Sequence, residues 1–444
     1  MAAVASRFDD LSVDGMQARI ESVLALSAGW NPVKDPTFQE GAQLKESHAS
    51  LRGSFVVQSG YQYSFGNLLS AYLSHLTGNL NAGKAVTPIL AVASFGIVFG
   101  GLTSLALPTG WCMALALMAA FNPVSIYQSS SYYIDGHTGA LFTAMLFAAL
   151  RLLVTGLKTD GLIALVVSFL GLSASKTSGL FYGVIIDLVF LGFYGLLNLK
   201  NLRPVLLFVG ISALVTWPVG FFFRKVGGFP PLTLEYLLAA TNPATSGYGV
   251  GQYSYGLDAM LKLDQAQIFV MSHFAPTEVI PENTKTKFPF WFNRRELSVF
   301  EDLTPDARAG GFGPLYGGSV ILAMASFGMI LLGRAPPWPA FFPLLPVLFS
   351  VGFTQAWWAR WCPQGWLLPT ALLIPLVCSL ASGPASKRWI PPPPGRICRP
   401  SQQRFDSSFL LCGMLPGPTT FGFPTPLFKI PAGSPFRLHA EICK

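Results

Sequence analysis

The chain has 444 residues, of which 51% are hydrophobic and 11% are charged, and its formal net charge is +8. A soluble domain carries about a quarter charged residues, so this composition excludes an ordinary soluble protein and favours a polytopic α-helical membrane protein. The segment 382–444 holds eight Lys/Arg and two Asp/Glu, a net charge of +6, which leaves +2 for residues 1–381. That distribution excludes a nucleic-acid-binding surface.

The first 83 residues contain no run that is long and apolar enough to cross a membrane. Within them, residues 65–79 are amphipathic and predict an interfacial helix. No signal peptide precedes this region, so we expect an upstream first span to be missing from this chain, or its start to be misassigned. Nine apolar segments follow and predict membrane spans: 84–107, 111–127, 138–155, 161–174, 179–197, 204–222, 316–333, 338–354 and 365–381.

The loops between these spans fall into two sets that differ in charge. One set holds most of the basic residues, and the positive-inside rule places such short basic loops in the cytoplasm. They are Arg151, Lys158, Lys200, Arg203, Arg334, Lys387 and Arg388. The other set is then extracytoplasmic: 1–83, 128–137, 175–178, 223–315 and 355–364.

This gives an all-α fold with about nine spans and a large outer loop. The predicted regions are a first-loop region, transmembrane helices, the large loop, further transmembrane helices and a tail, at 1–83, 84–222, 223–315, 316–381 and 382–444. The tail holds 12 of the 35 prolines and is interpreted either as disordered or as a frameshifted end. The six cysteines show no CxxC and no Cys/His ligand spacing, so neither a metal finger nor a disulfide scaffold is expected.

The first candidate site is the acidic stretch "RFDDLSVDG" at residues 7–15, which contains Asp9, Asp10 and Asp14. Adjacent carboxylates suit a general base, or a divalent metal that prefers oxygen ligands. The alternative is a solvated helix start, where aspartate is favoured by capping and by the helix dipole.

Two further outer turns carry polar side chains at the start of a span. "SSSYYIDGHTG" places Asp135 either as a helix cap or as a second active-site acid, with His137 as an interfacial histidine or a base. "SASKTSG" surrounds Lys176 with small hydroxyl and glycine residues, a composition that suits phosphate. In contrast, Asp187 is a single acid within a predicted span, and one such group makes no proton relay for transport.

The last two outer stretches each contain an arginine. Asp306 and Arg308 precede a Gly-Gly-Phe-Gly-Pro turn, which fits neither GxGxxG nor a P-loop. "QAWWARWCPQGW" places Arg360 among four tryptophans on the side where the positive-inside rule expects no cation. We interpret Trp357 and Trp366 as interfacial residues and Arg360 as a candidate phosphate clamp, because a guanidinium binds phosphate through two parallel donors.

Five stretches together resemble the bacterial C-type (GT-C) membrane glycosyltransferases. "FDDLSVDG" resembles an Asp-[Asp/Glu]-Leu-Ser-Tyr-His-Gly pattern of their first outer loop, and "YYIDGHTGAL" resembles their Tyr-Val-Asp-Gly turn. "ASKTSGLFY", "DARAGGFGPLYG" and "WWARWCPQGWLLP" resemble further blocks in the same order, over roughly residues 7–380. Val13 and Asp14 stand where the pattern has Tyr-His.

The resemblance implies transfer of a sugar from a polyprenyl-phosphate carrier to a glycan, lipid or protein acceptor, at the outer face of a bacterial plasma membrane. It assigns catalysis to Asp9, with Asp10 at the following acidic position and Asp135 as a further acid. Substrate binding is expected at Arg360, Lys176, His137, Asp306 and Arg308. The sequence requires no cofactor, although a divalent metal is compatible with the carboxylates. The alternatives are a carrier or flippase for lipid-linked glycans, or a non-catalytic truncated paralogue.

Overall fold

The fold was obtained as a computed structural model. It describes residues 1–7, 10, 15, 19–27, 29, 31, 64–197, 210, 267, 270, 273–277, 286–301, 311–313, 315–332, 338–352, 359 and 362–381. All of them belong to one unit, Met1–Trp389. The predicted tail, most of the large outer loop and the predicted span 204–222, except residue 210, lie outside the described residues.

The described residues form helices and contain no strand. In chain order the α-helices are α1 (Ala2–Ala5), α2 (Ile20–Ser27), α3 (Phe65–Thr77), α4 (Val86–Thr103), α5 (Thr109–Ala120), α6 (Pro123–Tyr127), α7 (Asp135–Thr155), α8 (Thr159–Ser175), α9 (Thr177–Leu197), α10 (Arg294–Glu301), α11 (Tyr316–Leu332), α12 (Leu344–Gly352) and α13 (Leu367–Ala381). Short 3-10 helices occupy Leu80–Ala85, Gln128–Ser130, Trp338–Phe341 and Pro363–Trp366.

Four helical stretches are long and apolar enough to cross a membrane: Leu80–Thr103, Asp135–Thr155, Ser178–Gly195 and Pro363–Ala381. Three apolar helices are shorter, at Thr159–Ser175, Tyr316–Gly328 and Pro339–Val351. These helices coincide with seven of the nine predicted spans, and they indicate a membrane protein. The predicted total of about nine spans is not established by them.

The predicted span 111–127 is broken. Helices α5 and α6 meet at an angle of 60°, and the stretch Thr109–Ser130 counts as a fifth span only if the bent pair is taken as one. The break has a local cause, because the side chain of Asn122 accepts a hydrogen bond from Ser125 N at 2.9 Å and caps α6. Pro123 then occupies the first turn of α6, where its missing N–H costs nothing.

Helix α7 lies at the centre of the bundle. Every side chain from Asp135 to Leu150 is buried, and α4, α8 and α9 pack against this helix. The contact with α4 is close at Gly101, where a Cβ atom would lie 2.6 Å from the carbonyl oxygen of Phe147. Small residues of this kind let membrane helices approach each other at the backbone. The central position of α7 fixes where the polar residues of its first turn lie.

Helix α3 matches the predicted interfacial helix 65–79 and exposes its apolar side. It starts at Ser64, whose hydroxyl accepts from Asn67 N at 3.1 Å, and it ends at Gly78 in the left-handed region with φ +63°. The buried side of α3 is small or polar, whereas Leu68, Tyr72 and Leu76 are exposed. An exposed apolar stripe four residues apart is typical of a helix at a lipid boundary, and the interfacial position of α3 stays a prediction.

Candidate functional site

The first turn of α7 is joined to the turn between α8 and α9 by an ion pair. The Lys176 ammonium lies 2.9 Å from Oδ1 of Asp135, and the Asp135 side chain is 7% exposed. Lys176 has extended backbone and follows the last residue of α8. Two of the turns that were expected on the same side of the membrane therefore meet in space.

The first-loop acid Asp10 is attached to the same place. Asp10 is 4% exposed, and its Oδ2 accepts a hydrogen bond from Tyr132 N at 2.8 Å. Tyr132 lies three residues before Asp135, so the contact brings Asp10 close to the N-terminal end of α7. Asp9 itself lies outside the described residues, and its catalytic role stays a prediction.

Tyr132 ties this loop to the 3-10 helix Leu80–Ala85. Its hydroxyl donates to the carbonyl oxygen of Leu80, and Ser74 also lies within hydrogen-bonding reach of it. Burial raises the pKa of Tyr132 far above its ordinary value, the Ser74 hydrogen bond opposes that rise, and the charge of Asp10 adds to it. The phenol is therefore neutral at physiological pH and holds the loop in place.

The helix cap that was considered for Asp135 belongs to another side chain. Asp135 is the first residue of α7, and the residue before it, Ile134, makes no side-chain cap. Instead, Oε1 of the fully buried Gln128 accepts from Gly136 N at 2.5 Å. Gln128 satisfies a backbone donor of the first turn, which leaves the Asp135 carboxylate directed at Lys176.

His137 is enclosed behind this ion pair. The residue is 2% exposed, and a Cβ atom on Gly66 of α3 would lie 2.1 Å from its Nδ1. Its Nδ1 has no hydrogen-bond partner among the described residues. Asp135 and the buried Arg19 both act on the ring electrostatically. His137 therefore fills the space beside Gly66, and its substrate-binding role stays a prediction.

The structure adds two buried cations that the sequence reasoning did not single out. Lys84 is 1% exposed and lies in the 3-10 helix that Tyr132 contacts, and Arg19 is 9% exposed near His137. Charged side chains are almost never buried unless they are paired. A signal for Lys84 was present, because a lysine at the outer end of the predicted span 84–107 has no orientation role. Arg19 had no comparable signal.

The described part of "QAWWARWCPQGW" packs against the bundle. Pro363 touches the first turns of α7, where a Cβ atom on Gly139 would lie 2.9 Å from its Cβ. Trp366 is partly buried and stacks on Tyr316 with ring centroids 5.4 Å apart, and its interfacial position stays a prediction. Its indole N–H donates to the carbonyl of Met118. Trp366 therefore contacts both α5 and α11.

Three predicted binding residues, Asp306, Arg308 and Arg360, lie outside the described residues, and their roles stay predictions. Within the part of the chain that the structure describes, no three His, Cys, Asp or Glu side chains are grouped so that they could hold a metal ion. Comparison with models of protein families, with curated proteins and with solved structures gives no match for this chain.

Proposed function

We propose that this chain is a membrane glycosyltransferase of the GT-C type, with about nine spans and its reaction centre at the extracytoplasmic face. The single observation that carries the proposal is the pair of polar contacts at the N-terminal end of α7. There Asp135 pairs with Lys176 from the turn after α8, and Asp10 accepts a hydrogen bond from Tyr132 N, three residues before Asp135. Buried charge is costly, and it is concentrated where a protein uses it.

The proposed reaction needs one carboxylate as a base and several cations. An acceptor hydroxyl attacks the anomeric carbon of the sugar, a new C–O bond forms, and the bond from that carbon to the carrier phosphate oxygen breaks. The proton of the hydroxyl goes to the base, and the polyprenyl phosphate leaves with the bonding electrons. Fixed cations near the leaving oxygen stabilise the charge that develops on it.

The observed contacts support different roles for Asp9 and its neighbour Asp10. The Asp10 carboxylate accepts a hydrogen bond from a backbone N–H, and the Asp135 carboxylate contacts Lys176, so Asp10 and Asp135 already have positioning roles. Asp9 is the remaining acid of the Asp-Asp pair, and we assign to it the role of base. Lys176 and Arg360 are assigned to the carrier phosphate, since the Lys176 side chain remains 25% exposed. Arg360 has this role by its chemistry alone.

The test is release of polyprenyl phosphate from polyprenyl-phosphate hexose and pentose donors, radiolabelled in the lipid, by the chain in native membranes that supply the acceptor. We expect Asp9→Asn to abolish release and to leave membrane insertion unchanged. Asp160→Asn is the matched control, because Asp160 is an exposed acid paired with Arg151 at the opposite end of α7 and α8. Release that survives Asp9→Asn at the full rate would overturn the assignment.

The role of Arg360 is tested separately in the same assay. Arg360→Lys keeps the charge and removes the two-donor geometry, so we expect a weaker donor affinity and a lower rate. Unchanged values for both quantities would exclude a phosphate-binding role. Lys158→Gln is the control for general loss of positive charge, since Lys158 is exposed at the opposite end of the bundle.

One observation favours a second candidate, a carrier or flippase for lipid-linked glycans. Asp187 lies at the middle of α9, is 8% exposed, and its Oδ1 has no hydrogen-bond partner among the described residues. An acid at such a depth is a typical mark of a transport path. The two functions separate by product, because a carrier moves the intact lipid across vesicles and releases no polyprenyl phosphate. Asp187→Asn should lower the movement of lipid across vesicles if the chain is a carrier, and it should leave the release of polyprenyl phosphate unchanged if the chain is a transferase.

A further inference from the structure

Four large aromatic side chains are exposed on one short turn of the chain. We call residues 288–292 the aromatic turn. Phe288 is 68% exposed, Phe290 44%, Trp291 67% and Phe292 47%. A water-facing surface rarely carries so many large rings together, and such a patch marks an interaction site.

The aromatic turn is held from both sides, so its exposure is built into the structure. Glu296 is 1% exposed, and its carboxylate accepts from Thr277 N at 3.0 Å and from Asn293 N at 3.1 Å. The same carboxylate pairs with the Lys287 ammonium, and Lys287 N donates to the carbonyl of Phe274 at 2.9 Å. Asn293 and Glu296 also form a reciprocal cap at the start of α10.

The position of the aromatic turn places it at the end of an apolar helix. A Cβ atom on Gly318 would lie 2.6 Å from the Phe290 ring, and one on Gly317 would lie 2.6 Å from the Phe274 ring. Both glycines belong to the first turn of α11, which exposes Leu322 and Met324 further along. The end of an apolar helix with an apolar outer surface lies near the boundary between lipid tails and headgroups, where aromatic rings are enriched.

The charge beside the aromatic turn points to one kind of partner. Arg294 and Arg295 follow it after Asn293 and are exposed, whereas the neighbouring acid Glu296 is buried and paired. The accessible surface therefore combines large rings with cations. That combination matches the interface of a bilayer with anionic headgroups, in which rings enter the headgroup layer and arginines contact phosphate.

We infer that the aromatic turn is a membrane-docking surface that inserts into the headgroup region of the bilayer and prefers anionic phospholipid headgroups. The inference is independent of the glycosyltransferase proposal, because it rests on residues 286–296 and on α11 alone. It gives this part of the large outer loop a fixed height at the membrane.

The first test is fluorescence of the full chain in vesicles made with brominated lipids, which quench a tryptophan in contact with them. The difference in emission between the wild type and Trp291→Phe isolates Trp291 from the other nine tryptophans. We expect this difference signal to be quenched more by bromine near the headgroup end of the acyl chains than by bromine near their ends. A difference signal that brominated lipid does not quench would overturn the inference: quenching by aqueous acrylamide would then show that the turn faces water, and protection from both quenchers would show that it faces protein.

Trp111→Phe is the matched control, because Trp111 is 50% exposed in the first turn of α5 at the predicted cytoplasmic end. Its difference signal reports whether the lipid quenchers reach a tryptophan on a membrane helix of this preparation. Trp291 and Trp111 are both accessible, so neither substitution removes a core contact.

The second test addresses the headgroup preference. The wild-type Trp291 signal should be quenched more by brominated phosphatidylglycerol than by the same mole fraction of brominated phosphatidylcholine. Arg294→Gln with Arg295→Gln should lower this ratio to about one, since each cation near an anionic surface adds to the attraction. Lys158→Gln should leave the ratio unchanged. A wild-type ratio of one, or a ratio that survives loss of both arginines, would contradict the proposed charge recognition.

Discussion

Replacing Gly66 with alanine should destabilise the protein, because the added methyl group meets the ring of His137. The new Cβ atom would lie 2.1 Å from Nδ1 and 2.6 Å from Cε1 of that ring. Carbon atoms cannot approach so closely, so the imidazole must move. His137 is 2% exposed and leaves little room for such a movement.

The size of the effect follows from two opposing contributions. Forcing an extra methyl group into a packed interior costs about 1–3 kcal/mol. Alanine is favoured over glycine in a helix interior by up to about 1 kcal/mol, and less at the second residue of α3. We therefore expect a net loss of about 1–2 kcal/mol in the free energy of unfolding for Gly66→Ala.

The measurement is unfolding of the purified protein in mixed micelles titrated with sodium dodecyl sulfate. Gly96→Ala is the matched control, since a Cβ atom at Gly96 of α4 meets nothing within 4 Å. That variant should keep the wild-type stability or gain slightly from helix propensity.

A second background shows whether the ring is the cause. In a His137→Ala chain the obstacle is absent, so Gly66→Ala should cost nothing beyond His137→Ala itself. If Gly66→Ala lowered the stability equally in both backgrounds, the contact with His137 could not be the reason.

Three further outcomes are expected. Lys176→Met should lower the free energy of unfolding by about 3 kcal/mol, because it leaves the buried Asp135 carboxylate without this cation. Asp135→Asn should cost less, because the Lys176 side chain that it leaves behind is 25% exposed. Additive effects in the double variant would contradict the pairing. Gly101→Ala should lose about 1–3 kcal/mol, since a Cβ atom would meet the rigid carbonyl of Phe147 in α7; stability equal to that of Gly96→Ala would show that α4 can move away. Because burial raises the pKa of Tyr132, the neutral phenol makes its full contribution to the stability of the protein below pH 10. That contribution is lost as the pH rises further. Tyr132→Phe should therefore lose less stability than the wild type in alkaline unfolding titrations, and equal losses would exclude Tyr132 as the group that titrates.

The helices of the membrane region could be predicted closely from the sequence, because a long apolar run has few alternatives. The segment 138–155 corresponds to α7, which begins three residues earlier at Asp135. The edge was misplaced because Asp135 and His137 are polar, and a hydropathy pattern ends a span at polar residues. The structure buries both of them inside the bundle instead.

The bend between α5 and α6 was missed although its local signal was present. Averaged hydropathy passes smoothly across residues 111–127 and predicts one span. The pair Asn122 and Pro123 acts on a shorter scale, by ending one helix and starting the next. A hydropathy window cannot show that change of direction.

The contacts of the candidate site could be predicted only in part. Orientation rules place Asp10, Asp135 and Lys176 on one side of the membrane, and no more than that. Their contacts span 122 residues for Asp10 with Tyr132 and 41 residues for Asp135 with Lys176. Such pairings depend on how the helices pack, which a single sequence does not record. The same limit explains why the cap formed by Gln128 was not foreseen.

The bond from Trp366 to Met118 also has a consequence for biogenesis. The accepting carbonyl lies near the end of α5, beside the break in the second apolar segment, and its donor is synthesised 248 residues later. Backbone oxygens left without a donor are costly in a bilayer. During synthesis, the hairpin of α4 and α5 therefore lacks this donor for the Met118 carbonyl until the 3-10 helix Pro363–Trp366 has been made.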